Sequence, residues 1–353
     1  MTSSAPARTE SAPAPAPSNR RQLVSWAAAL IALVGLGWLL SFTEVEIHSE
    51  RIKNPNPPNP LPDEGMFGMP GTFWIVVLHT ATILICLAMI AAFVRNRRAG
   101  GSVNPGLGLF LGLTTIIAYD PIFNWAMYAV YNPALRHWPV DWGWASISPS
   151  VEPLWPLGAY PFFFLAPGLI AFALHKRFVL RRASAGSFAL RRPLLSLFLF
   201  AVPVTLVLEC VGESLLLQAR IWSYYQYWGP ALRLFSHSWL PLTEIINATL
   251  TMSLLAMLMH RDDRGRSPSK RIALRLGRDG RIRIGETAVA ILLMQAVFIA
   301  YIGYFAVIRE AGLATNVAGD WPYHSIKVYD PDGYVHRAGI AGPYYHGVWA
   351  PTR

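Results

Sequence analysis

Four acids stand inside runs of apolar residues where ionised groups are rare: Asp120, Glu209, Glu213 and Glu244. An ionisable side chain at membrane depth is costly, so each is a functional hypothesis by default. Their spacing is helical. Asp120 and Asn124 are i, i+4, Glu209 and Glu213 are i, i+4, and Glu244 and Asn247 are i, i+3, so each pair forms a stripe on one helix face. Crowded carboxyls cannot all ionise together, and such a cluster therefore offers a proton donor and a proton acceptor side by side. That is the equipment of general acid–base catalysis, or of a proton relay. Carboxyls and amides also glue helices together. A single acid would fit that reading as well, whereas four at one depth favour a shared cavity.

Other chemistries lack their signatures. No Glu-x-x-His or His-x-x-x-His pair falls in an apolar run, so a carboxylate-bridged metal centre is not expected. No G-x-S-x-G elbow or glycine-rich nucleotide fingerprint is present. The two cysteines, Cys86 and Cys210, sit inside apolar runs without a recognisable activating partner. The expectation is a site with no metal and no cofactor.

The elements that must position these acids are membrane helices. Of 353 residues, 53% are hydrophobic and only 14% charged, too few ionised groups to cover a water-soluble domain of this length. About 20 apolar residues cross a bilayer. Seven stretches meet that length, near 23–42, 72–94, 107–130, 154–175, 194–217, 239–259 and 286–308. The expected fold is all-α, a polytopic membrane helix bundle of about seven transmembrane helices spanning 23–310. An Ala/Pro-rich tail over 1–22 is expected to be disordered, and 311–353 to form an external C-terminal segment.

Of the 30 Lys and Arg, 21 fall in the tail and in every second loop, leaving 9 for the other side. Positive charge stays cytoplasmic, which predicts the N-terminus cytoplasmic and the C-terminus outside. The basic excess is then a topology signal, and no nucleic-acid partner is implied. The arginine-rich stretch from Arg261 to Arg283 could also meet anionic lipid headgroups.

With this orientation the acids, Asn124, Asn247 and His79 all fall in the outer halves of their helices, roughly 6–15 Å below the outer ends at 1.5 Å per residue. The external segments are rich in aromatics, including Trp138, Trp142, Trp144 and Trp155 on one and Trp222, Tyr224, Tyr225, Tyr227 and Trp228 on another. An interfacial belt accounts for many such rings. Aromatic walls above polar groups also suit a lipophilic substrate carrying a few oxygens. Asp120, Glu209, Glu213 and Glu244 are thus the expected catalytic groups, with Asp120 and Glu209 as the first acid–base pair and Glu244 as electrostatic stabiliser. Asn124, Asn247, His79, Tyr119, Trp155 and Trp228 are the expected substrate contacts.

The run Tyr119-Asp120-Pro121 with Asn124, then Tyr131-Asn132-Pro133, His137-Trp138, Ser148-Pro149 and Glu152-Pro153-Leu154-Trp155, resembles the AveC-like spirocyclase family. The Glu209 and Glu213 helix and Tyr227-Trp228-Gly229 fit the same pattern, so the resemblance covers roughly 70–310. It implies an integral membrane protein related to the enzyme that closes the spiroketal of the avermectin macrolide. In such a reaction a dihydroxy-ketone forms a hemiketal, loses water through an oxocarbenium and is trapped by a second hydroxyl, with no redox cofactor or metal. Two other readings stay open: a proton-coupled transporter, which needs polar access from both faces, and a non-catalytic lipid-binding or structural membrane protein.

Overall fold

A computed structural model describes residues 66–100, 105–132, 135–138, 143–149, 151–235, 238–277 and 285–318, with short pieces at 328–329, 337, 339 and 344–345. The expected tail and first span, and most of 311–353, lie outside the described residues.

Prolines set the helix starts. A proline in the first turn loses only an N–H that has no intrahelical partner there, and its fixed φ suits the helix. After α1 (Gly71–Gly100), this holds for α2 (Pro105–Thr114), for α3 (Asp120–Ala126) with Pro121, and for α4 (Pro156–Tyr160). It holds again for α5 (Ala166–Phe178) with Pro167 and, beyond the short α6 (Phe188–Arg191), for α7 (Pro193–Gln218). The bundle is completed by α8 (Leu242–Leu258), the amphipathic α9 (Pro268–Leu276) and α10 (Glu286–Glu310). Pro203 sits inside α7 without ending it, whereas other internal prolines divide their runs. Between α4 and α5 the prolines at 156, 161 and 167 divide one apolar segment, and Pro161–Leu165 is a π-helical turn that turns Phe163 and Phe164 inward. Between α2 and α3 the chain tightens to a 3-10 stretch, Thr115–Tyr119, ahead of Pro121.

Among the described residues five segments are long and apolar enough to cross a membrane: Gly71–Arg95, Pro105–Ala126, Pro156–Arg182, Pro193–Gln218 and Glu286–Glu310. The sixth expected span begins later than 239, because 238–241 is a strand, and its helix has 17 residues. The third ends at Ala126 and not near 130, for a similar reason. Tyr128 turns the chain with φ 57°, and β1 (Ala129–Tyr131) pairs antiparallel with β2 (Trp222–Tyr224), Ala129 opposite Tyr224 and Tyr131 opposite Trp222. The fold is mostly helical, with small ladders added to the expected all-α bundle. β3 (Gln226–Tyr227) pairs with β6 (Asn316–Val317), and β4 (Ala231–Phe235) with β5 (Ser238–Pro241). These strands follow or precede the ends of α3, α7, α8 and α10, and define a strand end of the bundle. The opposite ends carry Arg177, Arg181, Arg182, Arg191, Arg192, Arg261 and Arg266, and define an arginine end.

Toward the arginine end, small residues let the helices approach closely. A Cβ on Gly108 of α2 would lie 3.0 Å from the Ala290 Cβ of α10, and one on Gly168 of α5 would lie 3.1 Å from the Met252 carbonyl oxygen of α8. Ala171, Leu197, Ala201 and Ala256 are fully buried together where α5, α7 and α8 meet. Thr205 and Ser253 join hydroxyls at 3.0 Å in the same seam.

Candidate functional site

The buried face of α7 carries Leu197, Ala201, Thr205, Glu209 and Glu213 at four-residue spacing, so it turns from apolar to acidic toward the strand end. Glu244 enters from the first turn of α8, where the unpaired helix N–H groups favour negative charge. These three glutamates line one partly open cavity of about 60 Å³. The rest of the wall is chiefly aromatic, and Trp155, Phe163 and Trp222 form a triangle with centroids 5.6–5.9 Å apart. Asp120, Glu209, Glu213 and Glu244 are all 5% exposed or less.

Their hydrogen bonds differ. Glu213 Oε1 accepts from Trp222 Nε1 at 2.8 Å and from Tyr224 Oη at 2.6 Å, both donors supplied by β2. Glu244 Oε1 accepts from Tyr301 Oη of α10, and its Oε2 is buried without a donor. Among the described residues no side chain donates to Glu209, whose buried Oε2 has no partner. A carboxylate is held ionised by donors, whereas a carboxyl with none is best accommodated as the neutral acid.

Asp120 does not line this cavity. It lies behind the wall, fully buried, where Tyr160 Oη donates to its Oδ1. Beside it is an acid that depth alone does not reveal: Glu152, 1% exposed, accepting from Asn124 Nδ2 at 3.2 Å. Burial, and then the adjacent Asp120 carboxylate that it hydrogen-bonds, raise the Glu152 carboxyl well above its ordinary 4.5. Glu152 lies outside every apolar run, and the chain folds it inward. Trp138 N–H bonds the Glu152 carbonyl at 2.8 Å and Leu154 N–H bonds the Arg136 carbonyl at 2.8 Å, a return that carries the acid under the strands. The available signal was its place in Glu152-Pro153-Leu154-Trp155, part of the run that carries the family resemblance.

The expected substrate contacts divide. Asn124 and Trp155 line the cavity, and Trp155 Nε1 donates to Thr82 Oγ1 at 3.1 Å. Tyr119 is buried next to Asp120 without lining it. Asn247 lies one turn along α8 from Glu244, half-buried, with its Nδ2 buried and unpartnered. Trp228 is half-exposed and lines a smaller neighbouring cavity that shares Met127, Tyr224 and Glu244 as a common wall. His79 stays on α1, its Nδ1 donating to the Ile75 carbonyl at 2.7 Å, away from the acids. Sequence reasoning did not single out Tyr160, Tyr224 and Tyr301 as acid partners, because an aromatic in an apolar run reads as packing. Among the described residues no three His, Cys, Asp or Glu side chains gather as metal ligands would.

A mostly helical chain with five membrane-length helices among the described residues and an acid-lined cavity is a membrane-type bundle with a polar site in its interior. The family described as "Spirocyclase AveC-like" matches residues 106–329, and the chain belongs to that family, which gives it a cyclase-type function. No curated protein and no solved structure matches it.

Proposed function

We propose that this protein is a multi-pass cell-membrane cyclase, N-terminus cytoplasmic, that closes a lipophilic hydroxy-ketone by acid–base catalysis without a metal or redox cofactor. The observation that carries the reading is the unequal treatment of three carboxyls around one aromatic cavity. Glu213, with two donors, is the carboxylate that takes the proton of the attacking hydroxyl. Glu209, with none, is the neutral acid that protonates the ketone oxygen. The C–O bond forms, the C=O π pair becomes an O–H, and a hemiketal results. Glu213, now protonated, returns its proton to the hemiketal hydroxyl, which leaves as water. The oxocarbenium left behind is stabilised by the Glu209 and Glu213 carboxylates, in a site where water is scarce, while Glu244, whose Oε2 has no donor among the described residues, stays neutral beside Tyr301. A second hydroxyl then closes the second ring. This assignment moves Asp120 out of the first acid–base pair, because Asp120 does not line the cavity and meets it through Tyr160 and Asn124 of the wall.

The aromatic wall supports a lipophilic substrate, with membrane lipid as the surrounding solvent. The test uses purified protein in lipid nanodiscs, treated with a chelator and supplied with a synthetic symmetric keto-diol whose hydroxyls each lie four carbons from the carbonyl. Loss of one water per molecule well above the protein-free rate is expected. Activity abolished by the chelator, or no acceleration by any keto-diol of this type, would refute the reading.

A further inference from the structure

Closing a ketal from one ketone and two hydroxyls removes two hydroxyl protons and delivers two to the oxygen that leaves as water. Glu209 and Glu213 account for the first closure and for departure of water, after which both are carboxylates. The second hydroxyl still has a proton to lose, and a third acceptor would avoid returning it to a glutamate already beside the cation. On the wall formed by α3 and α4, the Tyr160 ring lines the cavity while its hydroxyl donates to Asp120 Oδ1. Asn124, from the same lining, donates to Glu152 Oε2 at 3.2 Å. One oxygen of each acid, Asp120 Oδ2 and Glu152 Oε1, is buried with no donor among the described residues. A single proton held between the two carboxyls satisfies both.

We propose that Tyr160 carries the second hydroxyl's proton out of the cavity to the Asp120–Glu152 pair, which serves as a proton store behind the wall. The proposal rests on the cyclase reading above. As the second C–O bond forms at the oxocarbenium carbon, the hydroxyl proton passes to Tyr160 Oη while Tyr160 passes its own to Asp120 Oδ1. Glu152 keeps its proton throughout and Asp120 ends neutral. One proton then returns from Asp120 through Tyr160 to Glu209, which restores the starting state with water and the ketal as products. Tyr160 is the catalytic residue of this step, and Asp120 and Glu152 position and receive the proton.

Tyr160→Phe tests it, because the ring keeps its packing against Phe164 and Phe298 at 5.9 and 5.4 Å and loses only the hydroxyl. Turnover of the same keto-diol in nanodiscs is followed in mixtures of light and heavy water. The wild type is expected to show a curved dependence of rate on deuterium content, reflecting more than one moving proton. Tyr160→Phe is expected to lose roughly 100-fold or more in kcat, with KM within about threefold, and to give a straighter dependence. A variant at the wild-type rate, or one slowed with unchanged curvature, overturns the relay. Glu209→Gln run in parallel separates the two readings. If it is inactive while Tyr160→Phe is unimpaired, the relay alone falls. If Glu209→Gln turns over normally, the cyclase assignment falls with it.

Discussion

The two ends of α7 face the same neighbours and are built oppositely. Toward the arginine end its buried face is Leu197, Ala201 and Thr205, meeting Gly168, Ala171 and Ala256, and the titratable neighbour buried there is no acid but His175 of α5, whose Nε2 lies 3.0 Å from Ser196 Oγ. Toward the strand end the same face becomes Glu209 and Glu213, and the packing opens into a cavity. Close packing by small residues needs no polar groups and leaves no path for water or ions. The acid half tolerates unpartnered carboxyl oxygens and two left-handed turns at non-glycine residues, Tyr128 with φ 57° and Arg220 with φ 56°, which lead into the paired strands β1 and β2. Cost of that kind is concentrated where chemistry is done. On the proposed reading one half is a seal and the other a reaction vessel. On that reading a proton-coupled transporter would need acids through both halves, and the described acids of α7 stop at Glu209.

The largest expected effect is on the vessel. Glu213→Gln keeps volume and removes the charge, so turnover should fall by roughly 100-fold to 10,000-fold while the thermal midpoint changes little. Steady-state rates and thermal melts of the same preparation separate the two. The seal should respond the other way round. Gly168→Leu forces a side chain against the Met252 carbonyl, 3.1 Å from where its Cβ would sit, and should cost about 1–3 kcal/mol, read as a lowered midpoint with kcat retained in the folded fraction.

The behaviour of Glu152 with pH gives a subtler comparison. Its carboxyl value is raised in the fold, so its contribution to stability is whole below its ordinary 4.5 and is lost as pH rises through the raised value. Wild-type protein should accordingly lose stability with rising pH more steeply than Glu152→Gln, by at most about 1.4 kcal/mol per pH unit for one proton. Melts between acidic and alkaline buffers check the slope. The smallest effect is expected at the boundary between the halves. Thr205→Val removes the hydroxyl that meets Ser253 at 3.0 Å, costing about 1 kcal/mol and leaving turnover within twofold. A polar path through the seal would make Thr205 matter for activity, and the division between the halves would then break.

Much of this was legible in the sequence, where the signal was local. Apolar length located the helices, and helical spacing put Glu209 with Glu213 and Asp120 with Asn124 on shared faces. Where tertiary contacts decided, legibility ended. The third helix stops at Ala126 because β1 finds β2, more than ninety residues away, and although Tyr128, Val130 and Tyr131 favour strands, nothing local names the partner. Depth reasoning placed Asp120 with the other acids, yet the 3-10 stretch before Pro121 and the Tyr160 ring set it behind the wall. Glu152 escaped because burial was inferred only from membrane helices, while here a loop returns under the strands. The hydrogen bonds that distinguish Glu213 from Glu209 come from β2, so the roles of the acids depended on a strand that periodicity does not show.

The most direct test of the central claim is the handedness of the product. A symmetric keto-diol closes to a racemic spiroketal without a catalyst, and a chiral cavity that binds the oxocarbenium must favour one hand. Chiral chromatography of the product from purified protein in nanodiscs should show a clear excess of one enantiomer, reverting to racemate at the background rate in Glu209→Gln and Glu213→Gln. A racemic product from the wild-type protein, or an excess that survives both substitutions, would contradict ring closure by the acids of this cavity.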